Sequence, residues 1–328
     1  MKRDEILCDL KKLVGIIPFL ELRVFAMSNK LISWILFILL CFIWGSSFIL
    51  MKESKQGLTA PQIAALRIFS AGVFFIPFAF FHARHIPKSK MGLVILTGLF
   101  GNLLPAFLFA AAIMKIDSSL TGILNSLTPI CVVIIGALFF KSRTSLQKII
   151  GVIIGFAGLC LLTFSRKDVD LHHLGYTGLV LLATISYGLN VNIVGSYLKE
   201  IRPVFMASVS LSIMCVLAGI VLWQKGFLQL DFADPIVQWS ILNACLLGIV
   251  GSAFATVLFY ALVQKAGGLF ASLVTYGIPF VALFWGFLDG EIITLKDIGC
   301  LLLILTGVFL SNLQIKKPGL LAEKQSAG

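Results

Sequence analysis

Residues 98–140 read GLFGNLLPAFLFAAAIMKIDSSLTGILNSLTPICVVIIGALFF, and residues 248–290 read GIVGSAFATVLFYALVQKAGGLFASLVTYGIPFVALFWGFLDG. Set side by side at a shift of 150 residues, without a gap, they agree at nine positions. These are Gly98/Gly248, Gly101/Gly251, Leu108/Leu258, Phe109/Phe259, Ala111/Ala261, Lys115/Lys265, Pro129/Pro279, Gly136/Gly286 and Leu138/Leu288. Biased composition could supply the Leu, Phe and Ala matches. Matches at Gly, Pro and a loop Lys are harder to obtain that way, because each has a backbone or boundary role. A shift one residue smaller pairs Gly158 with Gly307. A duplicated unit follows.

The surrounding chain is 59% hydrophobic and 12% charged. Soluble domains run near 45–50% apolar and about 25% charged, and a globule of this size must still solvate its surface. Lipid is the solvent that accepts such a chain. Ten runs approach the roughly 20 apolar residues that a spanning helix needs: 31–51, 61–81, 91–114, 118–141, 147–165, 175–198, 203–223, 236–264, 268–289 and 295–314. They are too long and continuous for barrel strands, so the expected fold is an all-α integral membrane protein of ten transmembrane helices. Five spans per repeat is an odd number, so the two repeats are expected to be inverted, an arrangement common among transporters.

Charge agrees with that reading. Of the 26 Lys and Arg, 18 fall on the side of the N-terminus and seven on the other, with Arg67 inside a span. The positive-inside rule then places both termini in the cytoplasm of a multi-pass inner (plasma) membrane protein. The net charge of +11 is dispersed among the short loops, which excludes a nucleic-acid partner. The expected organisation is an N-terminal extension (1–30), a first five-helix repeat (31–165), a linker (166–174), a second repeat (175–315) and a C-terminal tail (316–328). In the extension Leu7, Leu10, Val14 and Ile17 have helical spacing but Pro18, Glu21 and Arg23 interrupt it, so it reads as a surface helix or as sequence upstream of a true start at Met27.

Catalytic signals are absent. The seven cysteines form no CxxC pair, and His82, His85, His172 and His173 all fall in loops without the partners a metal needs. No metal, cofactor or enzymatic activity is expected. Polar residues inside spans carry what chemistry there is. Arg67 is the one formal charge well within a span; it either grips an anionic group of a solute, or braces carbonyls and snorkels. Thr121, Asn125 and Thr128 share one helix face just before Pro129, and Thr184, Tyr187 and Asn190 share another. Asn102 lies beside Pro105, which frees a carbonyl. Trp44, Tyr187, Tyr260 and Tyr276 could wall a pocket. The candidate solute site is therefore Trp44, Ser47, Arg67, Asn102, Asn125, Thr128, Tyr187, Asn190, Tyr260 and Tyr276, with Pro105, Pro129 and Pro279 as helix breaks or hinges.

An ordered set of residues resembles the EamA-like branch of the drug/metabolite transporter superfamily: Trp44-Gly45-Ser46-Ser47-Phe48, Pro61 with Arg67, Pro129, Gly151 and Gly158, then Pro279, Asp289-Gly290-Glu291, Gly299 and Gly307. Tyr187-Gly188-Leu189-Asn190 is a loose echo of the first motif. The resemblance spans about residues 31–314 and implies a ten-helix carrier of small metabolites, amino acids or drugs, commonly outward. It departs where Lys141 stands in place of the family's frequent Glu. The expected function is a secondary transporter, an exporter, working by alternating access, with a small solute and the bilayer as partners and a monomer or homodimer as the assembly. A non-transporting receptor or assembly protein of the same fold is the alternative.

Overall fold

The computed structural model describes residues 29–113, 115, 118–166, 174–288 and 294–313. Residues 1–28, most of the linker, the Asp289-Gly290-Glu291 turn, His172, His173 and the C-terminal tail lie outside the described residues. Every regular element among the described residues is helical, and eight helical stretches are long and apolar enough to cross a membrane.

In chain order, α1 (Asn29–Ser54) and α2 (Ala60–Ala83) are followed by α3 (Lys88–Gly98), which passes through a π-helical segment, Leu99–Leu103, into α4 (Leu104–Ile113). Then come α5 (Ser118–Asn125), α6 (Thr128–Phe139) and α7 (Leu146–Arg166). Next are α8 (Leu174–Tyr197) and α9 (Pro203–Gln224), then α10 (Pro235–Gly248), which continues through a second π-helical segment, Ile249–Phe254, into α11 (Ala255–Ala266). Finally α12 (Gly268–Ser272), α13 (Val274–Leu288) and α14 (Leu295–Asn312) complete the described chain.

Local chemistry sets the helix starts. The Thr59 backbone N–H donates to Gln62 Oε1 at 2.8 Å, and Pro61 follows in the first turn of α2, where its missing N–H costs nothing. Asp234 Oδ1 accepts from the Ile236 N–H at 2.8 Å to open α10. At the head of α14 the Thr294 N–H donates to Asp297 Oδ2 at 2.9 Å, and the Asp297 N–H returns to Thr294 Oγ1 at 3.3 Å.

Several runs expected to be continuous are not. The 118–141 run divides into α5 and α6 because Pro129 has no N–H for the Asn125 carbonyl four residues back; that carbonyl accepts from Thr128 Oγ1 at 2.6 Å instead. The 268–289 run divides at Leu273, between α12 and α13, and Pro279 lies inside α13. Runs 91–114 and 236–264 remain unbroken but each carries a π-helical turn, and the two turns begin 150 residues apart.

The packing exchanges partners between halves. Helix α9 lies along α2 and α14 along α7, the two most extensive contacts. Helix α1 packs on α13 and on α11, while α8 packs on α6 and on α4. Contacts between single residues repeat the pattern. A Cβ on Gly45 would lie 2.5 Å from Val281 Cβ, and one on Gly188 would lie 3.1 Å from Cys131 Cβ, 150 residues earlier. Cys41 Sγ donates to the Val274 carbonyl at 3.7 Å; Thr184 Oγ1 donates to the Leu124 carbonyl at 3.2 Å.

The outer surface is apolar. Phe80, Phe81, Leu138 and Val216 are each at least 60% exposed, which water would penalise and hydrocarbon does not. Helices α7 and α14 approach so closely that a Cβ on Gly307 would sit 2.6 Å from the Gly151 carbonyl oxygen. Gly307→Val is therefore expected to lower stability by about 1–3 kcal/mol, read as thermal unfolding in detergent. Gly175→Ala, where an added Cβ meets nothing within 4 Å, is expected to leave it unchanged.

Candidate functional site

Between the two halves lies a cavity of about 200 Å³. Nine of the ten candidate residues line it: Trp44 and Ser47 from α1, Arg67 from α2, Asn102 from the first π-helical segment, Asn125 and Thr128 from the α5–α6 break, Tyr187 and Asn190 from α8, and Tyr260 from α11.

Tyr276 does not belong to it. Its fully buried ring lies behind α13, where a Cβ on Gly155 would come within 2.6 Å of it, and its hydroxyl donates to the Val152 carbonyl at 3.0 Å. Helix rotation explains the correction. Neighbours on α13 differ by about 100°, so Thr275 and Ile278 face the cavity while Tyr276 points to α7. Thr184 also turns away, donating to the Val180 carbonyl at 2.7 Å and to Leu124.

The breaks in helix geometry build the site. In the second π-helical segment the Ala255 N–H is directed to the Val250 and Ser252 carbonyls and passes over Gly251. The Gly251 carbonyl takes side chains instead: Trp44 Nε1 donates to it at 3.0 Å and Arg67 Nη2 lies at 3.5 Å. In the first half Pro105 has no N–H to offer Gly101, the residue that pairs with Gly251 in the repeat. Both glycines let side chains come close to backbone. A Cβ on Gly101 would lie 2.5 Å from Asn190 Nδ2, and one on Gly251 would lie 3.0 Å from Ser47 Oγ.

Polar groups around the cavity are mostly paired. Arg67 Nε donates to Ser252 Oγ at 2.6 Å. Thr256 Oγ1 donates to Asn102 Oδ1 at 3.1 Å. The Tyr260 hydroxyl lies 3.3 Å from the Thr97 carbonyl and 3.5 Å from Asn190 Oδ1. Asn125, another lining residue, stands apart: its Oδ1 is buried and has no hydrogen-bond partner among the described residues. Two aromatic pairs flank the space, Trp44 with Phe259 at 5.3 Å between ring centres and Tyr187 with Phe109 at 6.1 Å. Among the described lining residues the formal charges are Lys55 and Arg67, with no carboxylate.

At one end the cavity reaches exposed Lys55, at the α1–α2 turn. At the other, Val194 and Leu198 are fully buried, and Gln264 Nε2 donates to the Leu198 and Ile201 carbonyls at 3.0 and 2.8 Å. Sequence reading missed Lys55, Gly101, Phe109, Gly251, Ser252, Thr256 and Phe259 as wall residues. Four of these are repeat identities, Gly101/Gly251 and Phe109/Phe259, so the self-match held the signal.

The chain is similar to known proteins over most of its length. The model of the EamA-like transporter family matches residues 31–164 and again 175–313. A protein of Archaeoglobus fulgidus named an uncharacterized transporter is 25% identical over 85% of this chain and 98% of its own length. Protein PagO of Salmonella typhimurium is 24% identical over 84% of this chain and 91% of its own. YoaV of Bacillus subtilis, also named an uncharacterized transporter, is 24% identical over 82% and 93%. A crystal structure matches with a TM-score of 0.65 over 91% of this chain and 98% of the other, at 16% identity, which speaks to fold alone.

Ser252→Ala removes the partner of the Arg67 Nε. It is expected to cost about 1.5–3 kcal/mol, the usual worth of a hydrogen bond to a charged group, while Ser252→Thr keeps most of it. Thermal unfolding of both variants in detergent reads the difference.

Proposed function

Because the chain belongs to the EamA-like transporter family, a family of multi-pass membrane transporters, we propose that it exports a small organic anion across the inner membrane by alternating access. The observation that carries this reading is the charge of the cavity: Lys55 and Arg67 without a carboxylate. In a site walled by helices a cation with no counter-charge favours an anionic solute strongly. With its Nε held by Ser252, Arg67 presents its terminal nitrogens as a fork, a shape matched to a carboxylate. Asn125 and Asn190 add amides to the lining, and Trp44 gives an apolar wall.

The architecture in this proposal is ten spans in two inverted repeats, 31–165 and 175–315, joined by the 166–174 linker, with both termini in the cytoplasm. The 150-residue offset of the π-helical turns, the exchanged packing partners and the paired contacts of Gly45 and Gly188 support it. So does the difference between the cavity's ends, open at Lys55 and closed at Leu198. Exchanging the conformations of the two repeats would reverse those ends, with Pro105, Pro129 and Pro279 beside the segments that must bend.

Two measurements test the reading. Metabolite profiles of cells and medium should show an anionic solute retained in a deletion strain and released on overexpression, with flux reproduced in liposomes. Arg67→Ala should lower that flux about ten- to a hundredfold, the equivalent of one charge-assisted hydrogen bond, at unchanged expression. An unaltered rate in both Arg67→Ala and Arg67→Lys would remove the anion site. Reporter fusions at 142–146 and 290–295 should fall on opposite membrane faces; a shared face would overturn the inverted repeat.

A further inference from the structure

A second cavity, about 570 Å³, lies outside the solute path, in the cleft between α1 and α14 and floored by α13. Its walls are apolar and rich in rings, with Trp34, Phe37, Phe42, Phe280 and Phe309 among them. Three of the lining side chains that could hydrogen-bond are turned back on backbone, which leaves the Trp34 indole N–H. Cys41 Sγ donates to the Val274 carbonyl at 3.7 Å, Thr306 Oγ1 to the Leu302 carbonyl at 2.8 Å, and the Tyr276 hydroxyl to Val152 at 3.0 Å.

That lining decides what can fill the space. Water needs two to four polar partners, and beyond the single indole N–H of Trp34 the walls offer none. An empty void of this size would forfeit dispersion contacts along its whole surface. A polar solute would lose its hydration with nothing in return. Hydrocarbon remains, and the cleft opens sideways where it is available: Ile38, Leu302, Leu305 and Phe309 on its rim are each at least 50% exposed, on a surface that meets lipid.

One end of the cleft also says which lipid. Lys30, exposed, lies one turn before Trp34 on the same face of α1. Tryptophan at a span end sits at headgroup level, so a lysine one turn beyond it meets the phosphate region. The cation there favours an anionic headgroup over a zwitterionic one. On α8 the positions that correspond to the α1 rings are smaller; in the motif alignment that pairs Trp44 with Tyr187, Thr177 stands for Trp34, Val180 for Phe37 and Ile185 for Phe42. The ring-lined cleft therefore belongs to the α1–α13–α14 side and is not a by-product of the duplicated scaffold.

We propose that the cleft between α1, α13 and α14 is a binding site for one anionic phospholipid, with an acyl chain along the rings and the headgroup phosphate at Lys30. The site is independent of what the central cavity carries.

Native mass spectrometry of the full-length protein, taken from vesicles of equal parts phosphatidylglycerol and phosphatidylcholine, tests it. Wild type should retain one phospholipid per chain, with phosphatidylglycerol enriched several-fold. Thr306→Trp, which fills the cleft, should shed the lipid. Lys30→Glu, at an exposed position, should keep a lipid but lose the enrichment. Wild type free of lipid, or Lys30→Glu with unchanged enrichment, would overturn the proposal. A readout that needs no filled variant is quenching of Trp34 by brominated acyl chains, taken as the difference between wild type and Trp34→Phe. It should saturate near one lipid per chain, and quenching that only tracks bulk lipid would also overturn the proposal.

Discussion

Hydrocarbon cannot hydrogen-bond, so a chain that crosses it must satisfy every peptide group from within. Helices do this along most of the chain, and the instructive places are those where the ladder fails. At Asn125 a proline four residues on withholds its N–H, and Thr128 supplies a hydroxyl. At Gly251 the π-helical register carries the Ala255 N–H past the carbonyl, and Trp44 and Arg67 move in. Both of these failures face the central cavity. The backbone there is free to deal with side chains because the cavity lies inside the bundle.

The two halves share this scaffold but not its chemistry. Gly248 stands against Ser70 and the Arg67 carbonyl, while Gly98 stands against Ser210. Trp44 meets Phe259 as Tyr187 meets Phe109. The guanidinium has no twin, since the place that corresponds to Arg67 by these contacts holds Ser210. A site with paired aromatic walls and a guanidinium contributed by one half alone can tell one end of a solute from the other, which a fully symmetric cavity could not.

Hydropathy made the membrane helices legible, eight of them long and apolar enough to cross, because lipid imposes one requirement on about twenty residues at a time. The position of Arg67, the Thr121–Asn125–Thr128 face and the proline break were readable for a similar reason: a polar group in a span has few places to go. Helix rotation was not readable. Tyr276 looks like a wall residue in the sequence and lies one residue out of phase with Thr275, which is one. The π-helical turns left no mark in composition either, since a single inserted register step needs no special residue. They surfaced only through Gly101 and Gly251, whose shared spacing was visible before its purpose was.

The broad apolar exterior has its own consequence. Phe80, Phe81, Leu138 and Val216 touch disordered acyl tails, which conform to any greasy outline. Selection there can weigh oiliness but not shape, so one bulky aliphatic or aromatic group can replace another at little cost. Positions such as Gly151 and Gly307 have no such latitude, because backbone stands where a methyl would go. Packing therefore constrains a thin interior seam far more than the exterior, and relatives that differ at three positions in four still align over nearly their whole length.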